Sequence, residues 1–213
     1  MDDFTSLRRN MVDCQLRTYD ITDRAALAAA DFVPREAFLP ENLSHLAYLD
    51  QSIPLPGSGR ALMTPMVIVR MIQLIDPQPG EDVLDYGGGS GYGAALMDHM
   101  GAKATLWEPD AAARALAQAA LGRAGADGVT IAAARPADAG FDAILVSGAC
   151  ELAPESLFSL LRPEGRLVVV EGVGRAARVM LYLKSADAVS GRPVFDAAAP
   201  ALAEFRRPAE FVF

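Results

Sequence analysis

The apolar run Val83-Leu84-Asp85-Tyr86 breaks into Gly87-Gly88-Gly89-Ser90-Gly91-Tyr92-Gly93, and a second apolar run then ends on Trp107-Glu108. A short apolar run stopped by glycine reads as a buried strand that turns at once into a helix. Glycine permits positive φ and lets a ligand approach the main chain, and the helix start beyond it carries unpaired N–H groups. Each glycine costs conformational entropy, so this cluster points to a nucleotide-like ligand rather than to stability. The pattern also sets the fold. Strands are predicted at 82–85, 104–108, 129–133, 141–147, 165–171 and 179–184, with helices at about 93–100, 110–123 and 154–161 between them. Strands and helices that alternate, with continuous apolar strands, imply an α/β fold with a mostly parallel sheet covered on both faces. The closing run Ala209–Phe213 reads as a last strand, which with 179–184 would form an antiparallel C-terminal edge.

Residues 1–64 have a different character and are expected to form a helical and loop extension ahead of a ligand-binding domain at 65–213. Leu7, Met11, Val12 and Leu16 recur at helical spacing; a second helix starts near Asp23, with Thr22 as its expected cap, and ends at Phe32-Val33-Pro34. Pro54, Pro56, Gly57 and Gly59 make 47–62 loop-rich, and Pro65 opens a helix through Ile75.

With 213 residues the chain can bury a full core. Its net charge of -8 argues against general nucleic-acid binding. No apolar run approaches the length of a membrane span, the two cysteines form no C-x-x-C, and the start Met-Asp-Asp-Phe is acidic where a secretory leader is basic. A cytoplasmic protein is expected. With only His45 and His99, a histidine metal site or a serine–histidine hydrolase is poorly supported, and no metal is expected.

Two ligands suit the glycine turn. Gly89-Ser90-Gly91-Tyr92-Gly93-Ala94 with a downstream acid, Glu108, fits the dinucleotide fingerprint of NAD enzymes. Asp85 shifts the balance. A pyrophosphate is repelled by a carboxylate ahead of the glycines, whereas S-adenosylmethionine presents an ammonium beside a sulfonium. Glu108 could then accept both ribose hydroxyls.

These residues resemble the protein-L-isoaspartate O-methyltransferase family, from about Met11 to Lys184. Ile21-Thr22-Asp23, Phe32-Val33-Pro34-Arg35-Glu36-Ala37-Phe38-Leu39-Pro40 and Ala47-Tyr48-Leu49-Asp50 look like its N-terminal signatures, and 83–92, 141–146 and 160–168 like its three cofactor motifs. The resemblance implies a Rossmann-like methyltransferase sandwich with an N-terminal helical extension. It also implies S-adenosylmethionine as cofactor, held by Asp85, Tyr86, Gly87, Gly88, Gly89, Ser90, Gly91, Glu108 and Pro109, and an isoaspartyl protein or peptide as partner.

Two departures stand out. The family's Gly-Gln-Thr-Ile-Ser-x-Pro, whose hydroxyl faces the substrate, is here Gly59-Arg60-Ala61-Leu62-Met63-Thr64-Pro65. Met63 takes the hydroxyl position and Thr64 is one residue along, a turn of about 100° on a helix. The family's Gly-Asp-Gly at the adenine becomes Ala132–Asp138, leaving Asp138 for that role. A changed acceptor, or a cofactor-binding regulator that has lost catalysis, is therefore also open. Met63, Thr64 and Ser147 are the expected acceptor-side residues, since open sheets bind ligands at the carboxyl ends of their strands. Capping before Pro65 and an ordinary turn are the plainer roles for Thr64 and Ser147. Arg60 is read either as partner to an acidic acceptor or as a solvated loop cation, and Tyr86, Tyr92 and Trp107 as packing residues.

Overall fold

The computed structural model describes residues 3–138, 140–186 and 188–207. The N-terminal part holds α1 (Phe4–Asn10), a π-helical continuation over Met11–Leu16, and α2 (Arg24–Phe32). Then come two-residue strands β1 (Ile53–Pro54) and β2 (Ala61–Leu62), which pair with each other. The rest alternates as α3 (Pro65–Ile75), β3 (Asp82–Tyr86), α4 (Tyr92–His99), β4 (Lys103–Trp107), α5 (Ala111–Ala124), β5 (Thr130–Ile131) and β6 (Phe141–Cys150). It closes with α6 (Glu155–Phe158), β7 (Leu161–Glu171), β8 (Arg178–Lys184) and β9 (Val189–Asp196).

Among the described residues seven strands form one sheet in the order β5-β4-β3-β6-β7-β8-β9. The pairs from β5 through β7 are parallel, whereas β8 and β9 run antiparallel to their neighbours. The expected antiparallel edge is therefore present, but β8 takes Val189–Asp196 as partner; the expected strand at 209–213 lies outside the described residues. β5 is only two residues long and α6 only four. The α2 cap is Asp23, not Thr22: the Asp23 carboxylate accepts the Ala26 N–H at 2.7 Å. The Thr22 and Asp23 N–H groups instead donate to Gln73 Oε1 at 2.7 and 2.8 Å, tying the extension to α3.

Arg35 explains the signature around it. Its side chain is fully buried, donates Nε to the Ala47 carbonyl (2.7 Å) and Nη2 to the Met63 carbonyl (2.5 Å), and stacks 4.8 Å over the Tyr92 ring. One guanidinium thus links two loops of the extension to the first turn of α4. Glu36 accepts the Tyr48 hydroxyl and pairs with Arg8 at 3.6 Å, which braces α1 against the same loops. Hydrophobic residues of the extension and of the sheet's helices share one core: Met11, Leu27 and Phe38 belong to the same cluster as Ile72, Met97 and Leu145.

Candidate functional site

The strand order reverses direction between β4 and β6 on either side of β3, and ligands of open α/β sheets sit outside such a point. Three strand ends meet there: Tyr86-Gly87 from β3, Trp107-Glu108 from β4, and Ser147-Gly148 within β6. The glycine turn divides into two faces. Gly87, Gly89 and Gly91 take φ of 67°, 57° and 87°, a region that side chains avoid. A Cβ on Gly88 or Gly93 would fall 2.4 or 2.8 Å from the Asp85 carboxylate, and one on Gly91 would meet Leu106 at 3.3 Å. Those three glycines face inward and let α4 close on β3. At Gly87 and Gly148 a Cβ would meet only the Leu202 side chain or its neighbour Pro200, and at Gly89 Leu55, Arg60 and Ala61. Gly87, Gly89 and Gly148 form the outward cradle.

Asp85 belongs to the inward face. It is fully buried, accepts the Ala94 N–H at 2.8 Å and takes the Ser147 hydroxyl at 2.5 Å. Burial pushes its carboxyl up to about 7, against the pull of the Ser147 hydroxyl and the Ala94 N–H. The carboxylate fastens α4 and β6 to the tip of β3 instead of opening onto the crevice.

Glu108 closes the other side. Its oxygens accept the Gly89 and Asp110 N–H groups, both at 2.8 Å, and Arg60 Nε at 2.9 and 3.0 Å. Arg60 is itself buried and also forks onto Glu204 at 2.8 and 3.2 Å. Arg60 thus has the acidic partner that the sequence allowed, but both of its acids come from the chain itself. Tyr86 packs at 4.6 Å from the Trp107 ring and 5.6 Å from Phe205, so its role here is packing. Ser90 is buried, and its hydroxyl has no hydrogen-bond partner among the described residues. Pro109 follows Glu108 into the capped start of α5, where Asp110 accepts the Ala113 N–H at 2.9 Å.

The acceptor-side residues do not come together as a group. Met63 is buried in the core, and its carbonyl serves Arg35. Thr64 precedes Pro65 without a capping bond, exchanges contacts with Ser52 at 3.2 and 3.3 Å, and lines a cleft of about 190 Å³ with Tyr19, Asp50, Arg70 and Phe195. Ser147 is held by Asp85. Sequence reasoning missed Leu202 and Glu204 altogether. Nothing in their neighbourhood marks them, because their partners lie far away along the chain. Asp138 lies exposed in the loop after β5 and, among the described residues, makes none of these contacts.

A doubly wound sheet with a glycine turn at its switch point and an acid just beyond the next strand is a nucleotide-binding arrangement, and with the antiparallel β8–β9 edge it has the form of a Rossmann-like methyltransferase. Within that class the chain belongs to the protein-L-isoaspartate O-methyltransferase family. The family profile described as protein-L-isoaspartate(D-aspartate) O-methyltransferase matches residues 7–196. The chain is similar to the protein-L-isoaspartate O-methyltransferase of Methylorubrum extorquens, 40% identical over 177 residues, covering 80% of this chain and 76% of that one. It is also similar to that of Roseiflexus castenholzii, 38% identical over 187 residues and covering 85% and 84%. Its fold matches a Plasmodium falciparum structure assigned to the same class and solved with S-adenosyl-L-homocysteine. The TM-score is 0.77 at 20% identity, over 96% of this chain and all of that one. No helix among the described residues is long and apolar enough to cross a membrane.

Proposed function

We propose that this chain methylates the carboxylate of isoaspartyl residues in proteins or peptides, with S-adenosylmethionine as donor, in the cytoplasm. The observation that carries the reading is the pairing of an outward glycine cradle at Gly87, Gly89 and Gly148 with the Glu108 carboxylate across the switch point. Once Leu202 and Arg60 move off them these residues fit the donor: the cradle admits a close approach to the main chain, and Glu108 has the acceptor pair that a ribose diol needs. The bound donor supplies an activated methyl group.

The chain's own residues then have a limited task. A carboxylate acceptor is already deprotonated at neutral pH, so no general base is required. Holding it in line with the methyl group can supply on the order of 7–11 kcal/mol of the barrier. The near absence of histidine fits such a reaction. Asp85 acts here as a positioning residue, since it locks Ala94 and Ser147 around the crevice. Residues 1–64 form the acceptor-side extension, with Arg35 holding the Met63–Thr64 turn in place.

The test is methyl release from an isoaspartyl peptide beside an aspartyl control. Turnover with the isoaspartyl peptide alone is expected. Saturable cofactor binding with no turnover on either would overturn the acceptor assignment. It would favour a second reading, a nucleotide-binding member without transfer, which the core placement of Met63 in the family's hydroxyl position supports.

A further inference from the structure

The crevice described above is already filled by the chain. Residues 200–205 cross the carboxyl ends of β3 and β6 as a strap. The Ala149 N–H donates to the Pro200 carbonyl (2.8 Å), the Leu202 N–H to the Ala149 carbonyl (2.9 Å) and the Glu151 N–H to the Phe205 carbonyl (3.0 Å). Ala201 bridges to Ala149 in parallel fashion, like an eighth strand begun and abandoned. From this strap two side chains enter the crevice. The Leu202 methyl carbons lie 3.3 Å from where a Cβ would stand on Gly87, and one lies 2.6 Å from that point on Gly148. Leu202 therefore rests directly on both outward glycines. Glu204 holds the far end of the Arg60 guanidinium, whose near end covers Glu108.

The geometry separates a lid from a plug. A lid over a bound nucleotide stands off from the cradle by the thickness of that nucleotide, whereas Leu202 touches the cradle itself. The lone pairs give the same answer. A carboxylate offers about four acceptor positions, and on Glu108 two go to the Gly89 and Asp110 N–H groups while Arg60 Nε spans the remaining pair. A ribose diol can bind Glu108 only after Arg60 leaves. Arg60 in turn is held by Glu204, so the strap and the arginine must move together.

We propose that Arg60, Leu202 and Glu204 form an internal pseudo-ligand that occupies the nucleotide crevice. Leu202 takes the space over the glycine cradle, and Arg60 takes the hydrogen bonds of the ribose. The adenosyl nucleotide binds only when the strap swings away, and its apparent affinity is lowered by the small fraction of chains that are open. This inference rests on the reading of the crevice as the adenosyl site.

The test is calorimetry with S-adenosylhomocysteine on the full chain and on the double variant Leu202→Gly, Glu204→Gln, which leaves the cradle and Glu108 intact. Binding at least about tenfold tighter in the variant is expected, as for an open state populated below about one tenth. Amide exchange on the unaltered chain gives a second readout that does not depend on the variant folding. Saturating S-adenosylhomocysteine is expected to speed exchange at Ala149, Glu151 and Leu202, whereas a ligand bound beneath a lid would slow it. Equal affinities with those amides unchanged or slowed would overturn the strap and leave the adenosyl site standing. Failure of both chains to bind would overturn the strap and the adenosyl reading together.

Discussion

Replacing Glu108 with alanine is expected to weaken S-adenosylhomocysteine binding by at least about 100-fold. In the proposed complex Glu108 accepts two ribose hydroxyls, and each charge-assisted bond is worth roughly 1.5–3 kcal/mol. Even the lower figure for both gives about 3 kcal/mol, or about two decades in affinity. Arg60 keeps Glu204 as its partner in this variant, so the fold retains a paired guanidinium at the site. Titration of both chains by calorimetry checks the expectation. A change smaller than about threefold would remove Glu108 from the site.

The second large effect concerns pH. Asp85 is a carboxylate whose folded-state value is raised to about 7 by burial, from an ordinary value of 3.8. Below pH 3.8 both folded and unfolded chains carry the proton, and the group contributes nothing to the balance. Between there and about pH 7 the unfolded chain releases the proton first, so stability falls as pH rises, and above pH 7 the full cost is present. A shift of about three units corresponds to a few kcal/mol. The variant Asp85→Asn keeps a carbonyl for the Ala94 N–H and offers an amide to Ser147, without the ionisation. Its stability relative to the unaltered chain is therefore expected to rise by a few kcal/mol from pH 4 to pH 8. Urea unfolding of both chains at the two pH values measures this difference, from which the titration of surface ion pairs cancels. A difference that stays constant with pH would show that Asp85 ionises freely.

Much of this architecture can be read from local pattern, and the reasons are physical. β3 and β6 lie in the sheet interior, so Val83-Leu84 and Ala143–Val146 read as buried apolar runs, and the glycines after β3 mark a turn that needs positive φ. β9 carries no such signal because it is a mostly exposed edge strand with Gly191, Pro193 and Asp196 in its run, residues that otherwise punctuate loops. The helix expected at 154–161 shrinks to α6 because Leu160 lies in the turn that follows it and Leu161 opens β7, so neither serves a helix face. At the site, the glycine turn and Glu108 were legible from spacing. The direction of Asp85 was not, since an acid at a strand tip can face either inward or outward and only packing decides. The covering strap was hidden for a different reason. The contact of Arg60 with Glu204 joins residues 144 positions apart, and neither periodicity nor a motif carries such a pairing.

The central claim is that an adenosyl group binds on the Gly87, Gly89 and Gly148 cradle with its ribose on Glu108. A crystal structure of the full chain grown with S-adenosylhomocysteine tests it most directly. The account predicts the ribose hydroxyls within hydrogen-bonding distance of Glu108, Arg60 turned away from that carboxylate, and Leu202 lifted off both glycines. A nucleotide bound elsewhere on the chain, with Leu202 still seated on Gly87 and Gly148, would contradict it.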